Sequence, residues 1–514
     1  MKISSFSLFE QALLSPIVKD YLDGHAALNH FHNGIPSLGA LEQSLHRRQK
    51  SAVNREALVE ALTNQHSSIK SDSLSKNINA LKENYTFTIT TGHQLCLATG
   101  PLYFIYKITS AIKLSRRLKS EFPQYNFTPI YWMASEDHDF EEINHAVLFN
   151  KRITWNTEQQ GAVGRFNLNG VDAFLEELSA VLGTSEKANQ ALNLLKSAYQ
   201  NNTLASATRE LVYSIFGMDE LIIVDADDAV LKKLFVPVLK REFREQASFN
   251  AVKKSSTDLI ESGYKAQVEP REINVFYLEE NRRTRITATE FDLEKLEVEL
   301  EIAPEKFSPN VVLRPVYQEL ILPNIAYIGG PGEIAYWLQL KGVFDLYEVP
   351  FPTVVLRDSA LLISPSLKKK LDKLQLSVHS LFQSKKQIVD SWLAQHGNVD
   401  LTAQKQLLDE LFRQINQTAI AIDSTLGGFV SSEYTRQLST LDNIEKKMVK
   451  ALKTKEEVRI QQLEKILSEV FPDGNPQERV VNYFQFADVM PENFISELIE
   501  SFDPLKIEMK IVEL

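Results

Sequence analysis

The segment "YTFTITTGHQLCLATGPLYFIYKITSAIKLSRRLKSEFPQYNFTPIYWMA", residues 85–134, confines the fold more than any other. Tyr85 to Gly92 alternates threonine with aromatic and aliphatic residues and stops at a glycine, which predicts a strand. After Gly100–Pro101, apolar residues recur at helical spacing and basic residues collect in the last turns, where they suit the negative end of the helix dipole. "FTPIYWMA" is short and nearly all apolar, as a strand buried on both faces should be. Strand, loop, helix and strand in that order form a βαβ unit, the seed of a parallel sheet covered by helices.

Downstream the pattern is interrupted and then restored. A polar β-like piece and helices such as "VDAFLEELSAVL" fill 150–218, and "ELIIVDADD" returns as a buried strand ending in acids. A second interruption, 240–310, contains "INVFYLEENRRTRIT", a hairpin turning near Glu279–Asn281. "VVLRPVYQELILPNIAYIGGPGEIAYWLQL" reads as strand, glycine-rich loop and helix, and "PTVVLRDSALLI" as a last core strand. The expected organisation is α/β. A helical segment, 1–84, packs on a Rossmann-like doubly wound core, 85–360, with insertions at 150–218 and 240–310. From 364 to 471 the texture is helical. Leu367, Leu371, Leu374, Val378, Leu381, Ile388 and Trp392 fall on alternating steps, followed by Leu408, Leu411, Ile415 and Ile422, then Leu441, Ile444, Met448 and Ala451. These are coiled-coil seams, with breaks near Gly397 and Gly427–Gly428. A tail, 472–514, ends in the strand-like "LKIEMKIVEL", expected to dock on the core.

Composition excludes several classes. The 514 residues carry a formal charge of −11, which argues against a general nucleic-acid binder. Cys96 is the only cysteine, so no internal disulfide forms and a reducing compartment is expected. Without a signal-like N-terminus or an apolar run long enough for a bilayer, the expectation is a cytoplasmic protein with no membrane partner.

Three loops should meet at the carboxyl edge of the sheet, where α/β proteins bind ligands. In the first, "TGHQLCLATGP", Thr91, Gly92, His93 and Gln94 offer backbone N–H groups and an imidazole to an oxyanion. Gly100 permits close approach, and Lys107 could add a charge for a phosphate. A pair of Cys96 with His93 is conceivable as a nucleophile, although a lone cysteine between leucines is more often a buried small residue. In the second, "SEDHDFEEINH", two histidines and five carboxylates fall between Glu136 and His145. If a helix begins near Asp137 or Asp139, then His138, Glu142 and His145 share a face. That spacing could ligate a metal, yet the order is not HExxH, and no metal is assigned. Acids at a helix start also serve as caps. The third, "IGGPGEIAYW", supplies Gly330, Gly332, Glu333 and Tyr336. Trp132 and Glu136 join the substrate-binding candidates. Arg314 or Arg271 could hold a carboxylate bidentately.

The motifs "TGHQLCLATGPLYFIYK", "PIYWMASEDHDFEEINH", "AVGRF", "GYKAQVEPREINVFYL" and "GGPGEIAYW", in this order and followed by a helical region, resemble the bacillithiol biosynthesis cysteine-adding enzymes, the BshC family of cysteine ligases. The resemblance covers essentially the whole chain. It implies a Rossmann-like core with two connecting-peptide insertions and a coiled-coil region that makes a homodimer. It implies addition of cysteine to the amine of glucosaminyl-malate, the last step to bacillithiol. Through the related class I aminoacyl-tRNA synthetases and cysteine ligases it implies a nucleotide, ATP or ADP. On that reading His93, Asp137, His138 and Asp139 are the catalytic group, a general base being needed to free the substrate amine. Rival readings are a metal-dependent hydrolase using Asp137, His138, Asp139 and His145, and a non-catalytic nucleotide-binding scaffold.

Overall fold

The computed structural model describes residues 1–10, 13–396 and 399–514. Five strands form a parallel sheet: β1 (Thr86–His93), β2 (Asn126–Met133), β3 (Ile222–Asp225), β4 (Asn324–Gly329) and β5 (Thr353–Leu356). Their order is β3-β2-β1-β4-β5. This is the doubly wound order, with its topological switch between β1 and β4. Helix α1 (Tyr103–Glu121) joins β1 to β2, and helix α2 (Pro331–Leu346) joins β4 to β5.

Every residue of β1 is buried, including its threonines. A polar stripe is tolerated inside only when its hydroxyls find partners. Thr88 and Thr90 donate to Asn324 Oδ1 at 3.2 and 2.8 Å, and Asn324 Nδ2 donates to Glu319 at 2.7 Å. Arg48 closes this network, donating to Glu319 at 3.1 Å. The 1–84 segment thus contributes a charge to the core as well as apolar side chains such as Leu41 and Leu45, which pack with Phe87, Ile89, Leu114 and Ile328.

Several elements differ from the sequence reading. Lys2–Ser7 is a strand, antiparallel to Glu508–Glu513, which also pairs in parallel with Ser359–Ile363. Pairing between segments far apart in sequence makes these short strands a sheet. "PTVVLRDSALLI" is therefore two strands in two sheets, divided at the buried pair Arg357–Asp358. Val311 to Leu322 is not a strand: Arg314–Ile321 is a helix with Pro315 in its first turn, where a missing N–H costs nothing. "FEEI" is a single four-residue turn, and His145 begins a strand, His145–Leu148, so His138, Glu142 and His145 share no helical face.

Met1–Ser364 and Pro476–Leu514 form one compact unit, and Pro365–Asn475 a second. In the second, the first seam is broken into short elements, Pro365–Lys373, His379–Phe382 and Lys385–His396, with Leu367, Leu371, Leu381 and Ile388 buried. Gly397, where a break was expected, lies outside the described residues. Thr402–Ile422 and Leu426–Lys455 pair as a helical hairpin closed by Lys405, which bonds Asp442 at 2.8 Å and Glu445 at 2.7 Å. Among the described residues no helix is long and apolar enough to cross a membrane.

Candidate functional site

A cavity of about 730 Å³ opens at the carboxyl ends of β1, β2 and β4, at the switch point. The three predicted loops meet there. Gly92, His93, Gln94, Lys107, Trp132, Glu136, Asp137, Arg314, Gly330, Gly332, Glu333 and Tyr336 all line it. A methyl group built on Gly330 would touch only the ends of Glu333 and Arg357, and one on Gly332 would meet nothing within 4 Å. These glycines leave the start of α2 open to the cavity.

His93 is buried and neutral. Burial, with Lys107 nearby, pushes its imidazole down to about 3. Nδ1 lies 2.7 Å from the carbonyl oxygen of Gln94, so the proton sits there and Nε2 keeps its lone pair. That Nε2 has no hydrogen-bond partner. Gln94 ties two loops together, donating from Nε2 to Asp137 and to Glu142, both at 2.8 Å. Burial alone would raise the Asp137 carboxyl. Hydrogen bonds from His138 and Gln94, with the charge of Arg283, instead hold it well below the usual carboxylate range. Asp137 is therefore a persistent anion, suited to hold a cation and poorly suited to accept a proton. Burial raises the Glu136 carboxyl despite its ion pair with Lys232 at 2.7 Å.

On the opposite wall, Glu333 is fixed at both oxygens. Oε1 accepts from Tyr327 at 2.6 Å, and Oε2 accepts from Gly330 N–H at 2.8 Å and pairs with Lys107 at 2.5 Å. Lys107 also donates to the carbonyl of Gly92 at 2.7 Å. Arg314 donates to Gln318 at 3.1 Å and Tyr336 at 3.3 Å, and no carboxylate among the described residues pairs with it. Six arginines and Lys107 face five carboxylates around the cavity, a cationic excess in a chain of charge −11.

Some expected residues lie elsewhere. Thr91 donates to Ile328 O at 2.9 Å and joins β1 to β4 behind the cavity. Gly100 packs on Cys96 and its carbonyl accepts from Asn482, so it presents nothing to a phosphate. The Lys107 ammonium is committed to Gly92 and Glu333. Neither residue fits a nucleotide's phosphates. Asp139 caps the four-residue turn, accepting from Glu142 N at 3.4 Å. His138 sits outside the cavity, its Nδ1 accepting from Arg283 at 3.0 Å. His145 faces Asn144 and Arg152. Among the described residues no three His, Cys, Asp or Glu side chains converge to hold a metal ion. Burial pushes the Cys96 thiol up to about 12, so it is no nucleophile.

Other lining residues escaped the sequence reading. Arg283 stacks 4.0 Å from the Phe276 ring centroid, on the hairpin of the second insertion. Tyr103 opens α1, and Tyr327 points from β4 to Glu333. Arg357 is buried and donates to Glu478 at 2.7 Å. It carried a signal: it is the first charge after a buried strand, at the ligand-bearing edge. Next to it, burial raises Asp358 to about 7 although Asp503 N–H and Ser110 donate to it. A raised carboxyl stabilises the fold below its unfolded value near about 4, and that contribution is lost as pH rises through about 7. Asp358→Asn, which mimics the protonated form, should raise the melting temperature more at pH 8 than at pH 5; equal shifts would refute this.

A parallel sheet in this order, with a charged cavity at its switch point, defines a Rossmann-like α/β protein. Residues 1–358 match the family model described as "Bacillithiol biosynthesis BshC, N-terminal Rossmann-like domain", and residues 360–514 match its "C-terminal coiled-coil domain". Proteins named "Putative cysteine ligase BshC" are similar throughout. That of Flavobacterium johnsoniae is 41% identical, covering 97% of each chain, and that of Flavobacterium psychrophilum 39% identical over 100% of each. The Bacillus mycoides protein is 26% identical, covering 95% of this chain and 96% of its own. The chain belongs to the BshC family of bacillithiol biosynthesis.

Proposed function

We propose that this chain is a cytoplasmic ligase that forms a carbon–nitrogen bond between the carboxyl group of cysteine and the amine of glucosaminyl-malate, the last step to bacillithiol. The observation that carries this reading is the two-signed cavity. Its acidic wall, Asp137 and Glu142 bridged by Gln94, suits an ammonium group. Its basic wall, where Arg314 has no ion pair with a carboxylate among the described residues, suits the two carboxylates of a malate group. The substrate amine must lose a proton before it attacks. Glu136, raised by burial, is better matched to take it than Asp137. His93 Nε2 accepts a hydrogen bond from the substrate. His138 and Asp139 act from the rim, holding Arg283 and the turn that carries Asp137.

Condensing a carboxylate with an amine in water is uphill, so a nucleotide, ATP or ADP, is part of the proposal as a co-substrate. Gly100 and Lys107 are not its site, and no step is assigned through it. Purified protein with cysteine, glucosaminyl-malate and ATP should form a product of the summed mass less water. No product with any nucleotide, together with unchanged bacillithiol in cells lacking the gene, would sink the reading.

The same reading includes a homodimer through the helical unit. Leu411, Ile415 and Ile422 are 52%, 42% and 77% exposed, an apolar stripe on the outer side of the hairpin. Replacing all three with glutamate should halve the mass in solution. A triple variant that stays dimeric contradicts this interface.

A further inference from the structure

Three consecutive residues between β1 and α1 have positive φ: Ala98 at 48°, Thr99 at 71° and Gly100 at 66°. Glycine takes that region freely. Alanine does so at a cost, and a β-branched threonine is a genuine outlier there. Solvent does not relieve the strain, because Ala98 is fully buried and Thr99 nearly so, with its hydroxyl unpaired. Such a conformation persists only where the surroundings over-determine it.

Two side chains do this. Ala98 N–H donates to the Tyr199 hydroxyl at 2.7 Å, from the first insertion. Asn482 Nδ2 donates to both Ala98 O, at 2.7 Å, and Gly100 O, at 2.8 Å. Asn482 is wholly buried and is itself fixed. Its N–H donates to Val147 O at 2.9 Å, and its Oδ1 accepts from Phe484 N–H at 2.9 Å. The residue before it reinforces the clamp, since Val481 O accepts from Leu102 N–H at 2.9 Å. The clamped loop carries site residues on both sides: His93 and Gln94 before it, Tyr103 and Lys107 after it.

We infer that Asn482, with Tyr199, is a positioning residue of this site: it holds loop 95–101 in its strained conformation and thereby seats Gln94 against Asp137 and fixes His93 in the cavity wall. Asn482 does not line the cavity, so it acts through the loop. The kinetic part of its test rests on the ligase reading; the spectroscopic part does not.

The test uses full-length Asn482→Ala. Hydrogen exchange at the amides of 95–102 should accelerate about 10-fold or more as the loop opens locally. His93, neutral by burial in the parent, should begin to titrate above about pH 5 as it reaches solvent, read from its imidazole carbon resonance. Turnover of cysteine and glucosaminyl-malate should fall about 100-fold in kcat, with KM changed less than about 3-fold, because misplaced groups rather than lost contacts limit the rate. Adding Thr99→Gly, which lowers the cost of the left-handed backbone, should recover part of the kcat. Tyr199→Phe should show the same signature more weakly, and it decides the matter if Asn482→Ala does not fold. A folded variant with parental exchange at 95–102 and an untitrated His93 overturns the inference, whether or not the ligase reaction is observed. Reduced stability with unchanged kcat also overturns it.

Discussion

Replacing Lys107 with methionine is expected to destabilise the protein by about 1–3 kcal/mol at neutral pH, because it leaves the partly buried Glu333 carboxylate without its cation. Glu333 is held below its ordinary value by Lys107, Gly330 N–H and Tyr327, against the opposing effect of burial. A depressed carboxyl contributes stability above its unfolded value near about 4.3, and that contribution disappears as pH falls through the folded value. Without Lys107, burial dominates and the sign reverses, so the charged form is penalised. The loss should therefore be largest at pH 7–8 and shrink as pH falls, vanishing only below the depressed folded value of the parent, where Glu333 is protonated in both proteins. Adding Glu333→Leu should restore only part of the stability, since it removes the unpaired charge but strands the Tyr327 hydroxyl and the Gly330 N–H. Denaturant unfolding at several pH values measures all three quantities. A pH-independent loss, or a loss below about 1 kcal/mol, would show that the pair is not the keystone of this wall.

Arg314→Ala should raise the KM for glucosaminyl-malate about 100-fold or more, equivalent to about 3 kcal/mol for a lost bidentate charge-assisted contact. The KM for cysteine should change far less. Arg314→Lys should recover little, since an ammonium cannot present two parallel donors. The fold should tolerate both changes, because Arg314 has no carboxylate partner to strand and its present bonds are to neutral Gln318 and Tyr336. A KM effect confined to cysteine would reassign this arginine to the other substrate. An unchanged KM for both would remove it from the site.

Local patterns carried much of the architecture. The alternation in Tyr85 to Gly92 and the apolar run in "FTPIYWMA" mark β1 and β2, because a strand's neighbours in sequence already state its burial. The three loops around Gly92, Asp137 and Gly330 could be placed at one sheet edge because parallel strands put all their carboxyl ends on one side. The residues that share that edge but arrive from afar were not legible. Arg283 comes from an insertion, and Glu478 and Asn482 follow the whole helical region. The misplaced residues each have a specific cause. Thr91 is one residue too early, so its side chain points to the neighbouring strand. Gly100 is turned inwards by Asn482, and Asp139 is spent on a cap.

The sequence by itself determined the parallel core, its family and the loops that line the cavity, because periodicity and motif order are properties of neighbours along the chain. Tertiary structure alone decided the state of each group. Lys107 became a partner for Glu333 instead of a free charge, His93 a neutral acceptor, and Asp137 a fixed anion. Ionisation depends on burial and on charges within a few ångströms, and those neighbours come from elements as far apart as residues 94, 283 and 333.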